Sequence, residues 1–289
     1  MRIAIYGNLY QDKHIEALDR MFATLTRLGM RTYVEQRFHE YLTRHIQLPE
    51  TACILTTNDF AADAALSIGG DGTFLKTAAW IGNKSIPIMG INTGHLGYLA
   101  DVSMNDAEQA IEDIHNGNFQ IESRSLIEVT ADSPNVLPNR FALNEVAILK
   151  NDSASMLCLD TKVNGIELTS YLGDGLVIST PTGSTAYNLS VGGPILQPNC
   201  NNWVISPIAA HSLTMRPLVL PDNSQITVTT RSSRTQSFRV SIDGQSVSFP
   251  IGTTLLLKKA PHEIKVMQRT GHDFAKTLRS KLMWGTDAR

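Results

Sequence analysis

The stretch SIGGDGTFLKT, residues 67 to 77, combines residue types that suit phosphate binding. Gly69, Gly70 and Gly72 would let backbone N–H groups approach phosphate oxygens closely. Thr73 could cap the helix predicted after the turn, and the N-terminus of a helix favours anions. The stretch is neither a GxGxxG dinucleotide fingerprint nor a Walker A loop, which would carry a Lys-Ser/Thr pair. It therefore predicts a phosphate-binding turn of another class.

Asp71 is an acid inside this anion-binding turn, where a carboxylate should repel phosphate. Two roles would remove the conflict. Asp71 could bind Mg²⁺, which itself neutralises phosphates. It could instead accept the proton of a hydroxyl group that attacks the terminal phosphate. Both roles predict phosphoryl transfer, whereas a tight turn with the aspartate as a helix cap is the structural alternative.

A second candidate is the polar pair Asn144-Glu145, which interrupts the apolar run Phe141 to Leu149. In a strand, one of two neighbouring positions should face the core, so two consecutive polar residues are unexpected. An amide and a carboxylate could hydrogen-bond a ribose diol and an adenine. A bulge or an edge turn would also explain the pair.

The stretch TPTGSTAYN, Thr180 to Asn188, is rich in hydroxyl groups and follows a predicted strand that ends at Ser179. Such a turn can hydrogen-bond phosphate or adenine without adding charge, and Tyr187 can stack or hydrogen-bond. Thr182 and Asn188 are therefore included among the candidate binding residues. By composition alone, the stretch is also typical of a polar hairpin loop.

Three isolated residues complete the candidate binding set. Asp174 lies in a Gly-Asp-Gly segment that by itself indicates a turn. Gln245 follows Asp243-Gly244, a predicted type I′ turn, and could point at a ligand. Tyr98, in HLGYLA, could stack on adenine, although an aromatic residue among leucines is often part of a core.

Other polar residues carry weaker predictions. Lys76 could reach a phosphate, although a lysine on a helix surface is the commoner outcome. His95 and His211 are interpreted as structural, and neither is assigned a catalytic role. No Cys, His or Asp cluster has the spacing of a zinc site, and no metal ligand is assigned.

The elements that must position these residues follow two patterns along the chain. Residues 1–118 alternate strand and helix signals, which indicates a Rossmann-like α/β domain with a parallel sheet. A helix over His14 to Leu28 is predicted by an apolar stripe that ends at Gly29. A strand is predicted from Ala64 to Ile68, directly before the glycine turn, and a helical pattern resumes at Phe74. In such sheets ligands bind beyond the carboxyl ends of the strands, which is where this turn would lie.

Residues 119–268 carry short β-rich runs separated by turn signals such as Asn164-Gly165. This pattern predicts an all-β domain, an antiparallel sandwich or barrel that would bind the dinucleotide. One continuous strand is predicted from Ile121 to Thr130, and the last strand of this domain from Ile264 to Met267. Residues 269–289 return to helical or mixed character, and we expect this segment to pack on the first domain.

Composition narrows the class of protein. The 289 residues are 42% hydrophobic and 18% charged, with a net charge of -2, which is ordinary for a globular chain and gives no footprint for nucleic acid. No apolar run approaches the roughly 18 residues of a membrane helix. Three cysteines without CxxC spacing argue against a disulfide framework, and the expected location is the cytoplasm.

Several segments together resemble the NAD kinases. These are GGDGT with IPIMGINTGHLGYLA downstream, LNEVAI at 143–148, GDGLVISTPTGSTAYNLSVGGPI at 173–195, SPIAAHSLTMRPLVL at 206–220, and DGQ at 243–245. The GGDG loop alone fixes only a superfamily, which includes diacylglycerol-type lipid kinases and phosphofructokinases. The later segments are more selective and stand in the family's order.

The resemblance implies a reaction and a set of contacts. The terminal phosphate of ATP would pass to the 2′-hydroxyl of the adenosine ribose of NAD, with Mg²⁺ bridging the donor and Asp71 as general base. The residues that line the NAD site in the family correspond to Thr185, Ala186, Tyr187 and Ser190, and Asp174 would face the nicotinamide end. The resemblance also implies a homodimer or homotetramer.

Two other functions remain open at this stage. A lipid kinase would keep the fold and the phosphate turn but would need a broader, apolar acceptor pocket. A non-catalytic dinucleotide sensor would bind NAD or NADP without transferring phosphate.

Overall fold

A computed structural model describes residues 1–94, 97–137, 139–151, 156–271 and 273–284 of the chain. The chain divides into two compact units. The first unit contains residues 1–123 and 264–289, and the second contains residues 124–263. The second unit is therefore an insertion in the sequence of the first.

The strands, in chain order, are β1 (Arg2–Gly7), β2 (Arg31–Glu35), β3 (Ala52–Leu55), β4 (Ala64–Ile68), β5 (Ile88–Asn92), β6 (Val102–Ser103), β7 (Phe119–Arg124), β8 (Ile127–Ala131), β9 (Phe141–Ala142), β10 (Glu145–Lys150), β11 (Leu157–Val163), β12 (Ile166–Gly173), β13 (Gly175–Ser179), β14 (Asn202–Ile208), β15 (Leu218–Pro221), β16 (Ile226–Arg231), β17 (Ser237–Ile242), β18 (Gln245–Pro250), β19 (Thr254–Lys259) and β20 (Ile264–Arg269). The α-helices are α1 (Ile15–Arg27), α2 (Gln36–Leu42), α3 (Asp71–Ile81), α4 (Ala107–Asn116), α5 (Tyr187–Ser190) and α6 (Phe274–Leu282). In the part of the chain that the structure describes, no helix has the length and apolar character needed to cross a membrane.

The first unit is an α/β domain, as the sequence predicts. Its sheet has the order β3-β2-β1-β4-β5-β20-β7, with β6 beside β5. The pairs β1–β2, β1–β4, β2–β3, β4–β5, β5–β6 and β5–β20 are parallel. Helix α1 buries Leu18, Phe22 and Leu25 in the core of this unit, and it ends before Gly29, whose φ of +66° is easy for glycine.

The order of these strands creates a switch point next to β1. The chain leaves β1 toward β2 on one side and returns to pair β4 on the other side. The carboxyl ends of β1 and β4 therefore lie next to each other, and the connections that follow them diverge. This is the position at which open α/β sheets bind ligands.

The second unit is an all-β sandwich of two six-stranded antiparallel sheets. One sheet has the order β15-β14-β13-β10-β17-β18 and the other β12-β11-β16-β19-β8-β9. Residues of both sheets share one hydrophobic core that includes the fully buried Trp203 and Phe238. The type I′ turn predicted at Asp243-Gly244 is confirmed by positive φ angles of 48° and 82°. The turn signal Asn164-Gly165 has the same character, with φ angles of 51° and 80°.

The Gly173-Asp174-Gly175 segment is a corner rather than a hairpin turn. Strand β12 belongs to one sheet of the sandwich and β13 to the other, and only Asp174 separates them. A Cβ at Gly175 would lie 2.2 Å from the carbonyl oxygen of Ile148. Both sheets can therefore share one stretch of chain because glycine removes this steric conflict.

The structure corrects several sequence predictions. The single strand predicted from 121 to 130 is two strands: β7 belongs to the first sheet and β8 to the sandwich. The strand predicted at 264–267, β20, pairs with β5 in the first unit and not with the β-rich domain. Both differences have one cause: strands β7 and β20 pair with residues far away in the sequence, and such pairing leaves no local signal.

Candidate active site

The glycine turn lies at the switch point between β1 and β4. Gly70 is the N-cap of α3, and Asp71 is the first residue of the helix. Thr73, predicted as the cap, is instead a buried residue inside the helix whose N–H donates to the Gly70 carbonyl over 2.9 Å. A Cβ at Gly69, where φ is +153°, would lie 2.3 Å from Thr73 Oγ1. The fold itself therefore requires glycine at position 69.

Gly70 and Gly72 are different, because nothing in the fold demands glycine there. A Cβ at either position would meet no atom within 4 Å in the described structure. Gly70 has an ordinary φ of -95°, and Gly72 is exposed within α3. Glycine inside a helix costs about 0.5–1 kcal/mol relative to alanine. The missing side chains keep space open for something outside the chain.

That space is a cavity of about 490 Å³ at the carboxyl edge of the sheet. Gly70, Gly72 and Thr73 line it from α3, and residues 6–10 line it from the end of β1. Two cationic side chains, Arg37 and Lys76, also line it, together with Glu35, whose carboxylate caps α2 by accepting from the Phe38 amide over 3.0 Å. Backbone amides and two cations at a switch point favour a phosphate ligand.

The sequence analysis missed part of this cavity. Asn8 follows β1, and Arg37 follows β2, so both come directly after strands of the parallel sheet. Polar residues at those places were the signal that could have identified them. Lys76, for which a place on the helix surface is the commoner outcome, is exposed and also lines the cavity.

The carboxylate of Asp71 is tied to a neighbouring loop of the same unit. Its Oδ2 accepts from the amide of Tyr98 over 2.7 Å, and its Oδ1 accepts from the amides of Leu99 and Ala100 over 3.0 Å each. A Cβ at Gly97 would lie 1.9 Å from Oδ1, so this contact requires glycine there. A carboxylate has about four acceptor sites, so these three bonds leave one site on Oδ2 without a partner among the described residues.

Tyr98 is only partly exposed, and its ring contacts a lysine from the end of the chain. The Lys281 ammonium lies 5.0 Å from the centroid of the ring. The Tyr98 hydroxyl is buried and has no hydrogen-bond partner among the described residues. Burial raises the pKa of Tyr98, and the charge of Asp71 adds to the increase. His95, three residues earlier, lies outside the described residues.

The second unit holds the Asn144-Glu145 pair by a similar device. Asp243 Oδ2 accepts from the Leu143 amide over 2.7 Å, and its Oδ1 accepts from the Asn144 and Glu145 amides over 2.9 and 3.1 Å. Burial raises the pKa of Asp243 to about 6, against the effect of these backbone hydrogen bonds. Asn144 therefore lies in a fixed break between β9 and β10, and Glu145 is the first residue of β10.

Asn144 and Glu145 each carry a side-chain oxygen without a partner. Asn144 Oδ1 and Glu145 Oε2 are buried and have no hydrogen-bond partner among the described residues. Burial raises the pKa of Glu145 to about 7, the charge of Asp243 adds to the increase, and the Tyr187 backbone amide opposes it. Buried polar atoms normally have partners, so these two oxygens are available to the polar groups of a ligand.

The hydroxyl-rich stretch is a short 3₁₀ turn, Thr182–Thr185, and not a hairpin loop. Thr180 Oγ1 donates to the Leu143 carbonyl over 2.5 Å and accepts from the Gly183 amide over 3.1 Å. A Cβ at Gly183 would lie 2.2 Å from the Asn144 carbonyl oxygen. The turn therefore packs directly against the chain segment that carries Asn144 and Glu145.

Asn188 is a correction to the predicted binding set. Its side chain is fully buried, and Nδ2 donates to the carbonyls of Ser184 and Pro194 over 3.1 and 3.0 Å. Its Oδ1 accepts from Ser206 Oγ over 2.7 Å. Both amide hydrogens are used within the unit, so Asn188 supports the turn and does not offer donors to a ligand.

The other predicted residues of this unit differ in accessibility. Thr182 is buried, Thr185, Ala186 and Tyr187 are partly exposed, and Ser190 and Gln245 are exposed. Asp174, at the corner between the sheets, accepts from Lys150 Nζ over 2.7 Å. A ligand that contacts Asp174 would therefore also lie close to the ammonium group of Lys150.

No preformed metal centre is found in residues 1–94, 97–137, 139–151, 156–271 and 273–284. None of the His, Cys, Asp and Glu side chains in these ranges form a group of three or more that could hold an ion. The three cysteines, Cys53, Cys158 and Cys200, are free thiols.

Comparisons with known proteins match both units. The family described as ATP-NAD kinase N-terminal domain matches residues 3–119, and the family described as ATP-NAD kinase C-terminal domain matches residues 143–268. A protein of Bacteroides fragilis named NAD kinase is 46% identical over 290 residues and is covered completely, as is this chain. A Porphyromonas gingivalis NAD kinase is 42% identical over 289 residues, which cover 100% of this chain and 99% of that protein.

Solved structures share the fold. An NAD kinase from Archaeoglobus fulgidus, crystallised in complex with ATP, has a TM-score of 0.74 at 25% identity, over 98% of each chain. Yeast NADH kinase complexed with NADH has a TM-score of 0.90 at 22% identity, over 100% of this chain and 89% of that chain, and this likeness concerns the fold alone.

Proposed function

The chain belongs to the NAD kinase family, and from this premise we propose that it transfers the terminal phosphate of ATP to the 2′-hydroxyl of the adenosine ribose of NAD, giving NADP. The structural observation that carries the proposal is the cavity at the switch point. There, two glycines that the fold does not need leave space beside backbone amides, Lys76 and Arg37. These groups suit phosphates. Asp71 lies between Gly70 and Gly72 in the chain, but its carboxylate is bonded to residues 98–100 and does not itself line the cavity.

We assign Asp71 the role of general base through the free acceptor site on Oδ2. The three amide hydrogen bonds fix the direction of the carboxylate. A base that is already oriented loses little freedom when it accepts the ribose proton, and phosphoryl transfer depends mostly on such alignment. The structural alternative, Asp71 as a helix cap, loses support, since Asp71 bonds a distant loop and Gly70 is the N-cap.

Mg²⁺ enters the proposal as part of the nucleotide. Mg²⁺ is usually held by one or two carboxylates together with substrate phosphates. Three of the four acceptor sites of Asp71 are occupied by amides, and the described residues form no acidic cluster around it. We therefore expect the ATP phosphates to supply most of the ligands of the ion, and the ion to neutralise phosphate charge when it is bound.

NAD recognition is assigned to the second unit. The unpartnered oxygens of Asn144 and Glu145 can accept hydrogen bonds from ribose hydroxyls or from the adenine amino group. Thr185, Ala186 and Tyr187 follow on the turn that packs against them, and they are partly exposed. Ser190 and Asp174 remain in the proposed set on the strength of the family resemblance. Thr182 remains as part of the hydroxyl-rich stretch, and Gln245 because it follows the Asp243-Gly244 turn.

A coupled assay tests the function. Purified protein is supplied with ATP, Mg²⁺ and NAD, and NADP is detected with an NADP-specific dehydrogenase. NADP formation that needs all three components is expected. A parallel incubation with ATP and a diacylglycerol tests the lipid kinase alternative, and NAD binding without any transfer would identify a sensor. The comparisons favour neither alternative.

Assembly and location complete the proposal. We propose a homodimer or homotetramer in the cytoplasm, as the family resemblance implies, and the free thiols at Cys53, Cys158 and Cys200 suit a reducing compartment. Light scattering coupled to size-exclusion chromatography measures the assembly, and a monomer at working concentrations would contradict it. Cell fractionation tests the location.

A further inference from the structure

The C-terminal helix brings one charged group to the loop that holds Asp71. Lys281, in the last turn of α6, places Nζ 5.0 Å from the centroid of the Tyr98 ring. The backbone amide of Tyr98 in turn donates to Asp71 Oδ2 over 2.7 Å. One chain of contacts therefore runs from α6 through Tyr98 to the carboxylate.

The position of this ammonium group is unusual for a surface helix. Lysines at such sites normally extend the ammonium into water. Lys281 Nζ is buried and has no hydrogen-bond partner among the described residues, whereas Lys276 and Arg279 of the same helix are exposed. A buried ammonium is unfavourable unless negative charge compensates it.

The compensation comes from the acids of the loop region. Burial lowers the pKa of Lys281, and the negative charges of Asp71 and Asp101 oppose this decrease. The face of the Tyr98 ring adds a further favourable contact with the cation. The ammonium is therefore favoured where it lies by the Tyr98 ring and by the negative charges of Asp71 and Asp101.

We propose that Lys281 is a positioning residue for phosphoryl transfer. Its ammonium holds the Tyr98 ring from the side of α6, and this keeps the amides of residues 98–100 on the Asp71 carboxylate. Asp71 then presents its remaining acceptor site in one direction. This inference rests on the proposed function, and it extends the catalytic machinery to a helix more than 180 residues away in the sequence.

The test removes the positive charge of Lys281 while keeping a side chain of similar shape. Lys281→Met retains an unbranched side chain, and Arg279→Met removes an exposed cation of the same helix as a matched control. We expect K281M to lower kcat by on the order of 10- to 100-fold, as small displacements of a catalytic group do, with the KM for NAD within about twofold of wild type. R279M should retain wild-type values.

A second measurement does not depend on activity. Hydrogen exchange followed by mass spectrometry reports the amides of residues 98–100 directly. K281M should exchange faster at these amides, and R279M should match the wild type. If the wild-type protein makes no NADP, the proposed function fails, while this exchange measurement still tests the link between Lys281 and the loop.

A double-mutant cycle separates positioning from a general structural effect. In the background of Asp71→Asn, K281M should cost little further activity, because both substitutions act on the same carboxylate. Lys281→Arg keeps the charge and should retain kcat within about threefold and wild-type exchange. Additive losses in the cycle, or unchanged kcat and exchange in K281M, would overturn the proposal. If K281M does not fold, the K281R variant provides the test, and a kcat of K281R as low as that of D71N would overturn the proposal.

Discussion

Two aspartates fix two chain segments in the same way, one in each unit. Asp71 accepts from the amides of residues 98–100, and Asp243 accepts from the amides of residues 143–145. In both cases one oxygen takes two bonds and the other takes one. Each segment also carries a residue of the proposed site, Tyr98 in the first and the Asn144-Glu145 pair in the second.

Asp71 both holds the loop amides and serves as the proposed general base, so one substitution should lower stability and turnover together. In D71N, at least one backbone amide would face an NH₂ group, which costs about 1–3 kcal/mol. We also expect turnover to fall by about 10²–10⁴-fold, the usual contribution of a general base, while NAD still binds. Coupled kinetics, thermal unfolding and NAD titration measure the three quantities.

The control for this variant is Asp19→Asn, which removes an exposed carboxylate from α1. D19N should behave as the wild type in all three measurements. Near wild-type turnover of D71N would show that Asp71 is not the base.

At Gly72 stability and activity should move in opposite directions. The fold has room for a Cβ there, and alanine in a helix is favoured over glycine by about 0.5–1 kcal/mol. G72A should therefore unfold at a higher urea concentration and yet transfer phosphate more slowly, because its methyl group enters the cavity. Ala79→Gly, at an exposed position of the same helix, should lose about 0.5–1 kcal/mol of stability without loss of activity. An active G72A enzyme would show that the open space does not serve the ligand.

The paired acids of the second unit predict a pH dependence of stability. The pKa of Glu145 rises from 4.5 to about 7, and that of Asp243 rises from 3.8 to about 6. At pH values between the lower and the raised pKa of each acid, the folded state binds more protons than the unfolded state. The free energy of unfolding therefore falls as the pH rises from about 4 to about 7. Glu145→Gln removes one of the two contributions. Urea unfolding near pH 5 and near pH 8 should show a smaller decrease for E145Q than for the wild type, and an equal decrease would contradict the assignment.

At the scale of elements, the 3₁₀ turn 182–185 packs directly against the segment 143–145. Gly183 allows the turn to lie against the Asn144 backbone, with 2.2 Å between a built Cβ and the carbonyl oxygen. Gly183→Ala should push these segments apart, lower the melting temperature by several degrees and weaken NAD binding, since overpacking costs about 1–3 kcal/mol. Gly94→Ala is the control for the melting temperature, since among the described residues a Cβ there would meet only Asn92 Oδ1, at 3.9 Å. Unchanged NAD affinity in G183A would show that the two segments are independent.

The sequence predicts elements well where the signal is local and strong. The stripe of α1 and the glycine turn after β4 are confirmed, as are the two-residue hairpins, because periodicity and positive φ leave local marks. Helix α2 and strand β3 were missed. The seven residues of α2 bury only Phe38 and Leu42, and the exposed edge strand β3 carries no alternation.

For the candidate site, the sequence predicts residue types but not contacts. Asp71 was identified by its chemistry, whereas its partners lie 27 to 29 residues away and donate through backbone amides that any residue possesses. Asp243 was interpreted only as a turn residue, yet it fixes amides about 100 residues away. Asn188 was placed in the binding set because a polar residue in a loop gives no sign that its partners are internal.

At the scale of the whole molecule, the second unit is an insertion between neighbouring strands. The chain leaves the first unit after β7 and returns at β20, and these two strands are adjacent in the first sheet. We expect residues 1–123 and 264–289, joined by a glycine–serine linker of about 10 residues, to fold, because such a linker can span the length of a strand of about 20 Å.

Circular dichroism and thermal unfolding test this prediction. The joined chain should show mixed α/β structure and one cooperative transition. Residues 1–123 alone should not, since they lack β20, which lies between β5 and β7 in the sheet. A joined chain that melts without cooperativity would show that the first unit depends on the inserted one.

The close approach of Gly97 to Asp71 also constrains how this enzyme can change over evolutionary time. The acid fills the volume in which any side chain at position 97 would begin. A descendant that acquires even a methyl group at that position must first abandon the carboxylate, and with it the chemistry. Positions 71 and 97 should consequently behave as a single inherited character across homologues: preserved together in active lineages, and free to drift only where the activity has already been lost.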